Sequence, residues 1–335
     1  MMKYPSRSDI VTAMTNPKVS FRAKELIGGS VLHKGSRVLQ YSGGYTTVFP
    51  FRNRDGKQVA VRCWIADIGD AKKRSGEIAA YLEKLDNAYF SPFKFIDNAL
   101  LINGTLYPVV IMDWVNGLTL KKYINQHIAD PSKILAVAEK FREMVAGLHQ
   151  LTIAHGDLQH GNILISDQGN LSLIDYDSMY ITPLDGMKDV IKGLPGYQHP
   201  ARAKNKLIHP RLDYFSELVI YLSLQVFAAH PGLWATYYET EDFLFSKEDF
   251  ARPYESLLLS ELLHLSDKRI AHLAQKMLEA LLLTDISDLR PLEEVLVNDL
   301  DVSMEKIAEK WDHQPHPPVR KPIVLPDKDS TINKF

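Results

Sequence analysis

Residues 153–177 read IAHGDLQHGNILISDQGNLSLIDYD, and three polar side chains in that stretch are set at fixed intervals: Asp157, Asn162 and Asp175. Asn162 follows Asp157 by five positions, and Asp175 follows Asn162 by thirteen. Ile163-Leu164-Ile165 is a short apolar run, Asp167-Gln168-Gly169-Asn170 is a turn signal, and Leu171 to Ile174 alternates into the next acid. The pattern predicts a hairpin that brings Asn162, at the start of one strand, beside Asp175, at the end of the other. Two oxygen ligands on adjacent backbones suit Mg²⁺, which takes one or two protein oxygens and leaves its other positions to phosphates and water. Asp157, one short loop away, is then free to accept a proton or orient a hydroxyl.

This stretch resembles the catalytic loop and metal-binding loop of protein kinases, H-R-D-x-x-x-x-N followed by D-F-G at the same spacing. The matching residues are His155-Gly156-Asp157, Asn162 and Asp175-Tyr176-Asp177. The resemblance implies an α+β, two-lobed protein-kinase-like fold, with a small antiparallel-sheet N-lobe plus helix and a mainly helical C-lobe. It also implies ATP and Mg²⁺ as cofactors, Asn162 and Asp175 as metal ligands and Asp157 as the residue that orients the acceptor hydroxyl. The match has departures. Gly156 stands where the family has arginine, so an activation segment held by phosphate pairing to that arginine is not expected. Gln159 and His160 replace Lys-Pro, which removes a cation usually aimed at the transferred group. HGDLxxGN is also the form seen in small-molecule kinases of the aminoglycoside, choline and fructosamine type. Asp177 replaces the pivot glycine, which restricts loop flipping; it either adds a second carboxylate near the metal or caps the next turn.

Working outward, Val38 to Tyr41 and Val48 to Phe51 read as strands around Ser42-Gly43-Gly44-Tyr45-Thr46-Thr47. Asn53-Arg54-Asp55-Gly56 is a hairpin turn before the strand Gln58 to Trp64. That order resembles the kinase glycine loop and the V-A-I-K strand, here Val59-Ala60-Val61-Arg62, with arginine in the lysine place. The glycine loop is incomplete, although Gly43-Gly44 can still let backbone N–H groups approach phosphate. The resemblance makes Gly43, Gly44, Ala60 and Arg62 nucleotide-binding. Arginine keeps the charge but holds phosphate through a planar fork. Ala71 to Leu85 is helical by period, with Ile78, Tyr81, Leu82 and Leu85 on one face. Family helices here supply a glutamate to the strand cation. Glu77 is preferred over Glu83 because it lies nearer the helix start. Met112-Asp113-Trp114-Val115-Asn116-Gly117 resembles the hinge that meets adenine, with Met112 as gatekeeper and Asp113 and Val115 supplying backbone groups.

Asp130-Pro131 opens a helix with an N-cap aspartate and a first-turn proline, leading into the catalytic loop. Gly193 to Pro200 resembles the segment ending in A-P-E. Arg211 to Ser216 opens a helix apolar nearly all round to Ala229, and such a helix is a buried one. Its D-x-x-S start makes Asp213 the brace of the catalytic-loop backbone by resemblance. The histidines His155, His160, His199 and His209 lack metal-type spacing and read as hydrogen-bonded structural residues. DYD followed by Ser-Met-Tyr, with a later Gln198-His199-Pro200-Ala201-Arg202, is also similar to a bacterial kinase-like group.

The chain has 335 residues, 45% hydrophobic and 24% charged, a globular composition with room for a sizeable core. A net charge of −2 gives no electrostatic case for nucleic acid or a membrane surface. Cys63 is the one cysteine, which excludes a disulfide framework and fits a reducing interior. The start has no apolar core of signal-peptide type, and the longest apolar run is too short to span a bilayer, so a cytoplasmic protein is expected. Expected divisions are an N-terminal extension over 1–34, an N-lobe over 35–115, a C-lobe over 116–300 and a Pro- and charge-rich tail over 301–335. The expected activity is ATP- and Mg²⁺-dependent phosphotransfer to a protein or small-molecule hydroxyl, with a Ser/Thr protein acceptor favoured. The rival reading is a pseudokinase, a nucleotide-binding or scaffolding module; Arg62, Gln159 and the incomplete glycine loop favour it, and the complete Asp157, Asn162 and Asp175 set opposes it.

Overall fold

The computed structural model describes residues 4–66 and 69–297, and the expected tail over 301–335 lies outside them. Two compact units divide the described chain: residues up to 117 together with 172–177, and residues 118–171 together with 178–297.

The first unit begins with α1 (Arg7–Met14), which Ser6 and Asp9 open with a reciprocal capping box. A proline-led turn, α2 (Pro17–Ser20), follows. The strands are β1 (Ser30–Val31), β2 (His33–Lys34), β3 (Arg37–Val38), β4 (Tyr41–Ser42), β5 (Thr46–Arg52), β6 (Gln58–Trp64), β7 (Phe93–Ile102) and β8 (Thr105–Asp113). They form an antiparallel sheet of order β1-β5-β6-β8-β7 with β4 paired to β5, while β2 and β3 make a separate ribbon. Asn103 and Gly104 both have positive φ, 48° and 80°, which suits the tight two-residue turn joining β7 to β8. Residues 7–31 have no sustained period, yet they fold onto this sheet. Ile10, Met14, Phe21 and Leu26 share one core with Phe49, Phe51, Val61, Leu100 and Val109. Phe21 bridges to Leu100, and its ring meets Phe51 edge-on at 5.5 Å. Each such buried side chain contributes about 1.5–3 kcal/mol. α3 (Ala71–Leu82) buries Ala71, Arg74, Ser75, Ile78 and Leu82, a single stripe at helical spacing.

The second unit contains β9 (Leu118–Thr119), α4 (Leu120–His127), α5 (Pro131–Gln150), β10 (Ile163–Ile165) and the start of β11 (Leu171–Leu173). The predicted turn is present: Ser166 N–H donates to the Asn170 carbonyl at 3.0 Å, and Gly169 takes φ 74°. Further helices are α6 (Tyr214–Ala229), α7 (Trp234–Tyr237), α8 (Lys247–Ala251), α9 (Leu257–Leu263), α10 (Lys268–Leu281) and α11 (Leu292–Val295). α6 is the axis of this unit. Every residue from Phe215 to Ala228 is buried, and α5 and α10 pack against it. The buried Ser223 hydroxyl donates to the Val219 carbonyl at 2.6 Å, which satisfies it within the helix. Among the described residues no single helix is long and apolar enough to cross a membrane.

Candidate active site

In the first unit the sheet presents Arg62 from its interior. The residue sits on β6 with β5 on one side and β8 on the other, and it is 8% exposed. A buried guanidinium needs a partner, and two carboxylates supply it. Arg62 Nη2 lies 3.0 Å from Asp175 Oδ1 and also donates to Asp177 Oδ2. Burial lowers the Arg62 pKa, and the Asp175 carboxylate opposes that shift. Arg62 Nε is buried with no hydrogen-bond partner, so part of the fork's donor capacity is unused.

Glu77 is not the brace that the sequence led us to expect. It is half-buried on α3, no ion pair involves it among the described residues, and Arg62 takes its partners from residues 175 and 177. The reason is rotational. Residues 71, 74, 75, 78 and 82 set the buried stripe of α3, and at 100° per residue Glu77 lies roughly 120° round from its centre. Asp177 is buried and, with Asp175, is a counterion of Arg62.

The segment carrying these acids is pinned. Asp175 adopts φ 67°, a left-handed conformation that costs a non-glycine residue of order 1–2 kcal/mol and calls for support from its surroundings. Tyr176 supplies that support within the same unit. Its hydroxyl donates to the Leu173 carbonyl at 2.7 Å and accepts the Ser91 N–H at 2.9 Å, while its ring packs on Phe90 and Phe93. Leu173 N–H donates to the Tyr89 carbonyl at 2.8 Å.

Gly43 and Gly44 form the turn between β4 and β5, closed by Gly43 N–H to the Thr46 carbonyl at 2.9 Å. A Cβ at Gly43 would meet nothing nearer than 3.9 Å and one at Gly44 nothing within 4 Å, so the turn is open to approach. Ala60 pairs with Met112, and Val59 with Asp113, across β6 and β8. The Asp113 carbonyl accepts the Ser91 hydroxyl at 3.1 Å and its N–H donates to Pro92, whereas neither backbone group of the half-buried Val115 has a partner among the described residues.

The second unit holds Asp157 and Asn162. Asp213 is 2% exposed, and its carboxylate accepts the N–H groups of both His155 and Gly156, the latter at 2.8 Å. The loop is therefore fixed from beneath by one acid at the start of α6. Gly156 has φ 77°, and a Cβ there would lie 2.1 Å from the Ser178 carbonyl oxygen, so the family's arginine has no place in this loop. Gln159 is buried and turns inward, accepting Gly161 N–H at 2.9 Å. Asp157 Oδ1 accepts Leu194 N–H at 2.9 Å. Asn162 Nδ2 donates to the Asp157 carbonyl at 2.8 Å and to Asp157 Oδ2 at 3.2 Å. Two acceptors thus fix which end of the amide faces them, leaving Asn162 Oδ1 buried and without a hydrogen-bond partner.

The segment after Asp175 is held by residues that sequence reasoning missed. Arg202, 1% exposed, donates to Asp189, to Gln198 Oε1 and to the carbonyls of Gly156 and Ile191. No period marks Asp189 or Arg202; the sole hint was the Gln198-to-Arg202 motif. The histidines are hydrogen-bonded, as read: His160 to the Tyr197 hydroxyl, His199 to the Ala280 carbonyl, and His209 to Arg211 N–H. Among the described residues no three His, Cys, Asp or Glu side chains gather into a metal cage. A Mg²⁺ ion, which takes one or two protein oxygens, does not require one.

An antiparallel sheet carrying α1, α2 and α3, and a helical unit built on the buried α6 with the loop at 155–157 braced by Asp213, are the parts of a protein-kinase-like fold. The protein kinase domain family matches residues 42–284, well over half of the chain, and the chain belongs to that family. Similar proteins include serine/threonine-protein kinase SMU1 of Mycosarcoma maydis, 26% identical over 52% of this chain and 23% of that protein. Serine/threonine-protein kinase STE20 of Eremothecium gossypii is 32% identical over 36% of this chain and 12% of its own length. Serine/threonine-protein kinase PknL of Mycobacterium tuberculosis is 27% identical over 35% and 30% respectively. The matched region spans less than a third of each of these relatives.

Proposed function

We propose that this protein transfers the γ-phosphoryl group of Mg·ATP to a hydroxyl, and that the acceptor is a serine or threonine of a protein. The observation that carries this reading is Asn162. Its amide nitrogen is committed to Asp157, and its oxygen is buried and without a hydrogen-bond partner. A native protein leaves few buried acceptors unsatisfied, and each one calls for a function or a ligand. A fully buried asparagine oxygen following a family catalytic loop fits a divalent metal. Bound metal would neutralise charge on the phosphates.

The remaining work falls to the chain itself. Asp157 orients the acceptor hydroxyl through the carboxylate that Leu194 N–H and Asn162 Nδ2 hold in place. Arg62 meets phosphate with the guanidinium nitrogen that has no partner within the fold. The open Gly43-Gly44 turn and the free backbone of Val115 receive the nucleotide's phosphates and base edge. Holding reactants in this way supplies about 7–11 kcal/mol of barrier reduction. The protein acceptor is favoured because the similar proteins named above are serine/threonine-protein kinases.

Single-turnover mixing with radiolabelled Mg·ATP and a mixed protein acceptor pool tests the assignment. Wild-type protein is expected to transfer label to serine or threonine, and Asp175→Ala to transfer none while melting cooperatively. Equal transfer by both proteins would refute the reading.

A further inference from the structure

We propose that Asp177 is the positioning residue for Arg62, a task that in this chain does not belong to the helix α3. The inference rests on the nucleotide-binding reading above and goes beyond it by naming what aims the phosphate-binding cation.

Arg62 is long and buried, and its charge has to be balanced within reach of the strand. Asp175 alone would balance it, but that acid is also the expected metal ligand and its side chain is 35% exposed. Asp177 is different: its side chain is 9% exposed, and it contacts the same Nη2 atom. With Asp177 in place, the carboxylate of Asp175 need not be consumed by the arginine. Glu77 on α3 and Glu83 just after it form no ion pair among the described residues.

The geometry also explains why the third residue of the motif is not glycine. Tyr176 anchors the segment to Ser91, Leu173, Phe90 and Phe93, so the backbone at 177 has one fixed direction. A carboxylate one residue beyond that anchor then reaches the strand cation. The cation, its counterion and the metal-ligand candidate are tied into one group by the two contacts on Arg62 Nη2.

The test is equilibrium binding of Mg·ATP and of adenosine, by calorimetry, to wild type, Asp177→Asn and Glu77→Gln, with melting recorded in the absence of nucleotide. Asp177→Asn is expected to weaken Mg·ATP at least tenfold and to leave adenosine within twofold, because only the phosphates meet Arg62. Glu77→Gln is expected to change neither. Should Asp177→Asn fail to fold, the double variant Arg62→Gln/Asp177→Asn, which buries no unpaired charge, is expected to fold and to bind adenosine with the phosphate-dependent affinity gone. Equal losses for Glu77→Gln and Asp177→Asn, or parallel losses for adenosine and Mg·ATP, would overturn the role of Asp177 while leaving nucleotide binding intact. Absence of Mg·ATP binding by wild type would overturn both readings.

Discussion

Arg202 and Asp189 meet through two nitrogen–oxygen contacts of 3.2 Å, and each side chain is 1% exposed. A bidentate guanidinium–carboxylate pair of this kind is strong and directional. Arg202 also donates to the Gly156 carbonyl at 2.5 Å, so the pair ties the segment between residues 189 and 202 to the catalytic loop. The tie is made by a side-chain carboxylate and needs no phosphate. Phosphatase-treated protein should therefore keep its full turnover, measured against untreated protein under identical Mg·ATP.

Removing one member of that pair strands a buried charge. Arg202→Ala is expected to cost about 3–5 kcal/mol of stability, read from urea midpoints at constant m. Asp189→Asn should cost less than Arg202→Ala, since Lys192 and Arg202 retain the carbonyls of Asn205, Gly156 and Ile191 as acceptors.

Gly156 is the position at which the family's arginine is sterically barred. Its φ of 77° and the 2.1 Å approach of Ser178 oxygen to any added Cβ act together. Gly156→Ala should lower the melting temperature by several degrees, on the scale of about 2–4 °C per kcal/mol for a domain of 150–250 residues. Gly44→Ala, where a Cβ meets nothing within 4 Å, is the matched control and should melt with the wild type.

The contrast between residues the sequence revealed and those it hid has a physical basis. The turn between residues 166 and 170 was legible because Gly169 and Asn170 punctuate two short apolar runs. Asp213 was legible because its helix starts at a recognisable D-x-x-S and is apolar on every side. The partner of Arg62 was not: the α3 sequence allows several rotations against a sheet, and only packing selects the stripe through Arg74 and Ile78. Asp177 lies inside a turn of three residues, Tyr176–Ser178, with no period to orient it. Residues 6–31 open with a capping box at Ser6 and Asp9, but α1 and α2 have only eight and four residues, too few for a periodic pattern to stand out.

His149 links three helices and makes stability depend on pH. Its Nε2 lies 2.8 Å from Glu217 on α6, and its Nδ1 lies 2.8 Å from Glu293 on α11. Burial opposes the imidazolium, but hydrogen bonds and charge from Glu217 and then Glu293 outweigh it, lifting the pKa from 6.5 to about 9. Burial likewise raises Glu217 from 4.5 to about 7, with His149 pulling it back. Both folded values exceed the unfolded ones, so the native state binds more protons, and stability falls as pH rises. The Glu217 contribution is lost between about 4.5 and 7 and the His149 contribution between about 6.5 and 9. Urea midpoints for the wild type should fall from pH 6.5 to pH 9, whereas the double variant His149→Gln/Glu217→Gln, which removes both titrating partners, should be nearly flat over that span.

Metal dependence isolates the role of Asn162 from that of its neighbours. The amide nitrogen holds Asp157 and the oxygen is spare, so the two ends of one side chain can be separated by substitution. Asn162→Asp keeps an oxygen at the spare position but places a second carboxylate against Asp157, a like-charge contact that favours protonation of one of them. Asn162→Ala removes both functions. Ligand bound at 100 times its dissociation constant adds about 2.7 kcal/mol to stability, so wild-type protein saturated with ATP should melt several degrees higher when Mg²⁺ is present than when it is chelated. That Mg²⁺ increment should vanish in Asn162→Ala and in Asp175→Ala. It should survive in Asn162→Asp, whose defect appears instead as a turnover that declines below the pH at which the new carboxyl pair gains a proton. An increment unchanged in Asn162→Ala would mean that the spare amide oxygen faces no metal, and that the divalent ion is held by phosphate and Asp175 alone.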